Sequence, residues 1–328
     1  MPTPPGPSFI RDALPRGASG LEEAGPDGTG HEWQGSDLCA RPRPPVPPRL
    51  IAGLLLGALA GRFAFALARG SHPIGDLPWM AAALALGVCL WWVAHRQVGT
   101  AGAASALALY VSAPDTLHAG FAAIPALGLF AMLYTAVGVA HALQGPRRKW
   151  MPRILLMAAI CVFTAVAQPV ACAAGLVLSL AAMVYVVEKQ RRILLVLFTF
   201  WIAVATSSRL LLGAFSHRLT IHFVSGGFDV GQTGWLHNAG LLLALLATLA
   251  LWARARRSRY FGNTAPLLAA IALASTGLRA GSQALSWALP FALLFVAGVF
   301  ADGLEIRSKR LWELEICTIL ALQIVLSI

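Results

Sequence analysis

Apolar runs of roughly 17–25 residues recur from Leu50 to the last residue of the chain. Each is long enough to cross a bilayer hydrocarbon core about 30 Å thick, and no single soluble core could hide so many helices of that kind. The charge content agrees. Only 12% of the residues are charged and 58% are hydrophobic, whereas a soluble domain carries about 25% charged residues. The reading is therefore an all-α, polytopic transmembrane helix bundle. About eleven helices are expected, over 50–68, 77–94, 99–113, 119–143, 153–167, 170–187, 193–214, 235–252, 264–276, 284–301 and 311–328. The third, fifth and ninth are short, as tilted, broken or re-entrant segments are. Such segments are tolerated only where protein or a cavity surrounds them.

Residues 1–48 differ from the rest. They are rich in Pro and Gly, hold six of the fourteen acidic residues, and end in Arg41-Pro-Arg-Pro-Pro-Val-Pro-Pro-Arg49. They lack the apolar surface that folding requires, so a disordered tail is expected at 1–48 and a membrane domain at 49–328. The Pro-rich end reads as a stiff linker or as a ligand for a polyproline-binding domain. A secretory signal would place an apolar stretch near the start, and none is there.

The net charge of +11 does not point to nucleic acid. The basic residues sit in short clusters between apolar runs, as topology signals do, and no basic and aromatic groove with base-stacking spacing occurs. Arg96, Arg147–Lys149 with Arg153, Lys189–Arg192, Arg254–Arg259 and Arg307–Arg310 mark every second loop, and the intervening loops hold few basic residues. Lys and Arg are retained on the cytoplasmic side. That places the N-terminus in the cytoplasm and the C-terminus outside, in an integral protein of a bacterial-type plasma membrane. Cys39, Cys89, Cys161, Cys172 and Cys317 are scattered with no metal-binding spacing, so they read as packing residues and no cofactor is expected.

Polar side chains concentrate in the loops assigned to the outside. Three acids fall there, Asp76, Asp115 and Asp229, with His72, His118, His217, His222 and His237. Asp76 can be a general base or metal ligand, or only the turn residue and cap of Gly-Asp-Leu-Pro. Asp115 can cap the following helix, or share a site with His118 one helical turn on. The longest outer loop, 216–234, holds His217, Arg218, His222 and Asp229. A loop of that length in a compact membrane protein points to function. Its histidines and aspartate match no standard metal spacing. Arg209 and Arg218 can hold an anionic lipid phosphate. Arg62 lies within the first apolar run, where an arginine needs a carbonyl, a partner or a water-filled cavity, and Arg279 lies near a helix end. No GxxxxGK[ST], GxSxG or HExxH motif is present.

Several short motifs resemble the GT-C glycosyltransferases, in the protein O-mannosyltransferase and aminoarabinose transferase branch. They are His95-Arg-Gln-Val-Gly99, an Ala-rich helix, Ser112-Ala-Pro-Asp-Thr-Leu-His-Ala-Gly, Thr164-Ala-Val-Ala-Gln-Pro169, and Leu278-Arg279 followed by Leu289-Pro290-Phe291. The resemblance covers most of 50–301. It implies a GT-C-like bundle with an outward active site and a polyprenyl-phosphate-linked sugar as donor. A carboxylate of the first outer loop would deprotonate the acceptor as the lipid phosphate leaves. Asp76 and Asp115 would then be the catalytic candidates. Arg279, Arg209, His118, His217, Arg218, His222 and Asp229 would line the substrate. The pattern departs from the family in three places. The first outer loop is about eight residues with one acid. A second aspartate expected near Pro125 is missing. The lysine of the Lys-Pro element is Gln168. A non-catalytic protein of the same fold, and a transporter or lipid flippase with a cavity lined by Arg62 and the outer histidines, are the competing readings.

Overall fold

The computed structural model describes residues 47–69, 73–113, 116, 122–144, 150–187, 191–216, 239–255, 261–275, 283–304 and 309–327. The chain divides after Pro45, and all of these residues belong to the second unit, Val46–Ile328. They form ten helices: α1 (Pro48–Arg69), α2 (Pro73–Ser112), α3 (Ala123–Gln144), α4 (Trp150–Ala167), α5 (Pro169–Val186), α6 (Arg191–Ser216), α7 (Ala239–Arg254), α8 (Phe261–Ser275), α9 (Gln283–Leu304) and α10 (Lys309–Ser327). No strand occurs among the described residues. Seven of the helices are long and apolar enough to cross a membrane, and α7 and α8 hold shorter apolar segments. This is an all-helical, multi-pass membrane architecture.

Proline sets several starts. α1, α2 and α5 each open on Pro, whose missing N–H costs nothing at the first helical position. Pro169 also breaks the chain behind it. Gln168 is extended (φ −156°, ψ 105°), because the proline ring disfavours helical geometry in the preceding residue. α4 and α5 fold back on each other there, with the Cys172 thiol pointing to the Cys161 carbonyl at 3.6 Å.

The two apolar runs expected at 77–94 and 99–113 are the arms of one element. α2 carries non-helical geometry at Gly99, with φ 82° and ψ −175°, a region essentially restricted to glycine. The chain reverses at that point. The Tyr110 hydroxyl donates to the Ala83 carbonyl at 3.0 Å across 27 residues, which a continuous helix would hold roughly 40 Å apart at 1.5 Å per residue. A Cβ on Gly87 would touch Leu107 and Tyr110 of the second arm and Leu56 of α1. The shortness of the third apolar run follows. The second arm, 100–112, spans only about 20 Å, and its small residues let α9 approach so closely that a Cβ on Gly102 would lie 2.7 Å from the Ala297 carbonyl oxygen.

α9 is the centre of the bundle. It packs against α2, α3, α7, α8 and α10, and Trp287, Phe291, Phe295 and Phe300 along it are fully buried. Phe130 of α3 meets Phe291 at 5.4 Å between ring centroids. A second core joins α3, α4, α5 and α6 through Met132, Met157, Cys161, Cys172 and Trp201. α1 leans on α2, and α6 packs on α4 and α5. In lipid, packing of this kind rests on van der Waals contact and on small residues rather than on water exclusion.

Candidate functional site

The α2 hairpin defines two ends of the bundle. Because residue 83 sits beside residue 110, the first turn of α2 and the exit of its second arm lie at the same end, opposite Gly99. Asp76 is in that first turn by its backbone, where a carboxylate is favoured by the helix dipole.

The exit of the second arm is tied down by its own polar groups. The Ser112 hydroxyl donates back to the Ala108 carbonyl at 2.8 Å. The buried Thr116 hydroxyl donates to the Tyr110 carbonyl at 2.6 Å, and its N–H reaches the Ala113 carbonyl at 3.2 Å. Carbonyls in the last turn of a helix have no partner within it. Arg62 of α1 supplies one from outside, its guanidinium donating to the Val111 carbonyl. This satisfies the need for a partner that an arginine inside an apolar helix creates. Phe63, the next residue, meets Trp79 edge to face at 5.6 Å. The Phe63–Trp79 and Arg62–Val111 contacts thus tie α1 to both arms of α2, at the end that holds the backbone of Asp76.

The other expected site residues divide sharply. Arg209 is exposed on α6, a helix that packs on α4 and α5 rather than on α2. It lies 18 residues beyond Arg191, about 27 Å along the helix, close to the thickness of a bilayer core. Asp115, His118, His217, Arg218, His222, Asp229 and Arg279 lie outside the described residues. Arg62 stands toward the Asp76 end, and Arg69 closes α1 there by its backbone. The signal of Arg62 in the sequence is a lone cation in an otherwise apolar run.

The motif His95-Arg-Gln-Val-Gly99 lies at the opposite end and forms the hairpin turn. Trp91 stacks on His95 at 5.7 Å, and the Arg96 guanidinium sits 4.2 Å from the Trp92 ring centre. The Gln168–Pro169 break is structural as well, and Gln168 makes no side-chain cap.

Two buried carboxamides carry contacts not anticipated from the sequence. The Gln323 carbonyl oxygen accepts from the Leu241 N–H at 2.9 Å, across 82 residues. The Asn263 amide donates to the Asp302 carboxylate at 2.9 Å, joining the first turn of α8 to the last of α9. Beside it the Trp252 indole N–H donates to the Thr264 hydroxyl at 3.2 Å. Isolated Asn and Gln in apolar helices are the sequence signal for such bonds. Among the described residues, no group of three or more His, Cys, Asp or Glu is placed to hold a metal ion.

No protein-family model, curated protein or solved structure matches the chain.

Proposed function

We propose that the chain is a glycosyltransferase of the GT-C kind, acting at the outer face of the membrane on a polyprenyl-phosphate-linked sugar. In this reading there are eleven crossings, the two arms of α2 counting separately, with the N-terminus in the cytoplasm and the C-terminus outside. One observation carries it. The reversal at Gly99 brings the turn holding Asp76 to the exit of the 100–112 arm, so the two outer loops that the resemblance assigns to catalysis share one end of the bundle.

The chemistry follows from what stands there. Asp76 takes the proton of an acceptor hydroxyl. The resulting oxygen attacks the anomeric carbon of the sugar, the bond from that carbon to the phosphate oxygen breaks, and the polyprenyl phosphate leaves. A base must reach the hydroxyl at about 2.6–3.2 Å, directly or through one water. A cation near the leaving phosphate stabilises the charge that develops. Arg62, held by the Val111 carbonyl, is a described cation toward this end, Arg69 closes α1 there, and Arg279 and Arg218 are the further candidates.

The experiment compares wild type and Asp76→Asn in membranes supplied with labelled polyprenyl-phosphate sugars. Transfer by wild type should fall by roughly 10²–10⁴ in the variant, the range for losing a general base. Equal transfer at equal protein level removes Asp76 from the mechanism. No transfer by wild type across several donors favours the non-catalytic protein of the same fold, in keeping with the single acid of the first outer loop and Gln168 in place of a lysine.

A further inference from the structure

A groove of about 810 Å³ runs between α1 and α10, floored by the second arm of α2. α1 and α10 both lean on α2 and leave this space between them. Thr100 and Glu313 stand at its Gly99 end, and deeper in the lining is Leu54, Ala104, Ala108 and Leu320. From Thr100 to Ala108 is about 12 Å along the arm. That is close to half of a hydrocarbon core about 30 Å thick, so the groove has the depth of one leaflet. An acyl chain matches such a lining, and the mouth then decides which headgroup the chain carries.

The mouth is cationic. α1 and α10 both begin at this end, and neither has an acid in its first turn. Arg49 lies in the first turn of α1, and Lys309 and Arg310 open α10. Arg49 and Arg310 are exposed, and among the described residues neither is held in an ion pair or a hydrogen bond. The acids nearby are already engaged. Glu313 has a partner within the protein, and the Asp302 carboxylate accepts from Asn263. Glu305 and Arg307, between α9 and α10, carry opposite charges and leave the balance unchanged. The starts of the two helices add partial positive charge. We propose that this groove binds one phospholipid with a net anionic headgroup, of the phosphatidylglycerol class. One acyl chain lies along the alanines of the 100–112 arm. The phosphate rests over the first turn of α10, where Arg310 donates to it, and Lys309 and Arg49 raise the positive potential around it. A headgroup that carries its own ammonium would bring that cation among these cations at a cost. The site is at the end opposite Asp76 and does not depend on the proposed transfer activity.

Full-length protein is purified in detergent and loaded with phosphatidylglycerol or phosphatidylcholine of identical acyl chains, and retained lipid is counted by native mass spectrometry. Each Lys or Arg at the membrane surface favours an anionic lipid roughly fivefold, so wild type should retain phosphatidylglycerol roughly tenfold or more over phosphatidylcholine. Arg310→Gln should cut that ratio roughly fivefold, and Lys309→Gln combined with Arg310→Gln should nearly abolish the preference. Arg192→Gln removes an equal charge from α6, which packs on α4 and α5 and lines no part of the groove, and it should leave the ratio unchanged. Cys317 locates the lipid, because it is exposed and lines the groove. Its alkylation by N-ethylmaleimide, followed on the Cys317 peptide, should slow severalfold with phosphatidylglycerol and not with phosphatidylcholine. Excess glycerophosphoglycerol, the same headgroup without acyl chains, should not displace the lipid. Equal retention of the two lipids by wild type, or Arg310→Gln matching wild type, overturns the proposal. So does Arg192→Gln losing as much as Arg310→Gln, or displacement by the chain-free headgroup. Unchanged alkylation of Cys317 places the retained lipid elsewhere and overturns it too; that readout uses the wild-type chain and stands however the variants fold.

Discussion

Replacing Gln323 by Met keeps the length and volume of the side chain and removes its acceptor. The structure sets the consequence. Gln323 is fully buried, and its oxygen takes the Leu241 N–H at 2.9 Å in the first turn of α7, where the helix offers that donor no partner. Leaving a buried donor unsatisfied costs about 1–3 kcal/mol, and losing a helix-start cap costs about 0.5–2 kcal/mol. These describe one event, so the expected loss is about 2 kcal/mol, roughly thirtyfold in the folding equilibrium. A second substitution probes the same contact sterically. A Cβ on Gly240 would stand 2.5 Å from the Gln323 Cβ and 2.8 Å from its Cα. Rotating the glutamine cannot relieve the second contact, so Gly240→Ala must push α7 from α10, at about 1–3 kcal/mol. Melting followed by a thiol-reactive fluorophore reads both, because Cys161 and Cys172 are buried and react only on unfolding. Because the two changes act on one contact, their combined cost should be less than the sum. Melting of Gln323→Met and Gly240→Ala indistinguishable from wild type would refute the argument, as would strictly additive losses.

Two further outcomes are expected. Gly99→Ala should destabilise by about 1–3 kcal/mol through backbone strain alone, since nothing lies within 4 Å of an added Cβ there; the same melting assay checks it, and an unchanged melting point contradicts the hairpin geometry. Asn263→Leu should cost about 1.5–3 kcal/mol by removing its hydrogen bond to the Asp302 carboxylate, and unchanged melting would show that this clasp does not hold α8 to α9.

Much of the architecture was legible because lipid imposes a length on each crossing and removes most alternatives to a helix. The gap between the runs 77–94 and 99–113 corresponds to the Gly99 reversal, and the break at Pro169 is where a proline must make one. Boundaries drifted by a few residues where no such marker stands, as at α4, which opens at Trp150 rather than 153. The site was less legible. Arg62 was identifiable as a residue in need of a partner, but a backbone carbonyl has no sequence signature, so Val111 could not be named. Arg209 was legible as a cation near a helix end, but helix length reveals depth and not facing, and the packing of α6 on α4 and α5 follows only from the helix arrangement. The Gln323–Leu241 and Asn263–Asp302 bonds join distant segments, and their partners follow from helix arrangement, which local patterns do not contain.

In the proposed function the α2 hairpin crosses the membrane, with Asp76's end outside and the Gly99 turn inside. Single cysteines at Ala68, beside the Asp76 end, and at Gln97, beside the turn, test this directly. Both positions are exposed on the protein. The substitutions are made in chains whose five native cysteines are replaced by Ser or Ala, and intact cells are treated with a membrane-impermeant maleimide. The account predicts labelling of Ala68→Cys in intact cells and of Gln97→Cys only after permeabilisation. Labelling of both positions from outside, or of Gln97→Cys alone, would contradict it.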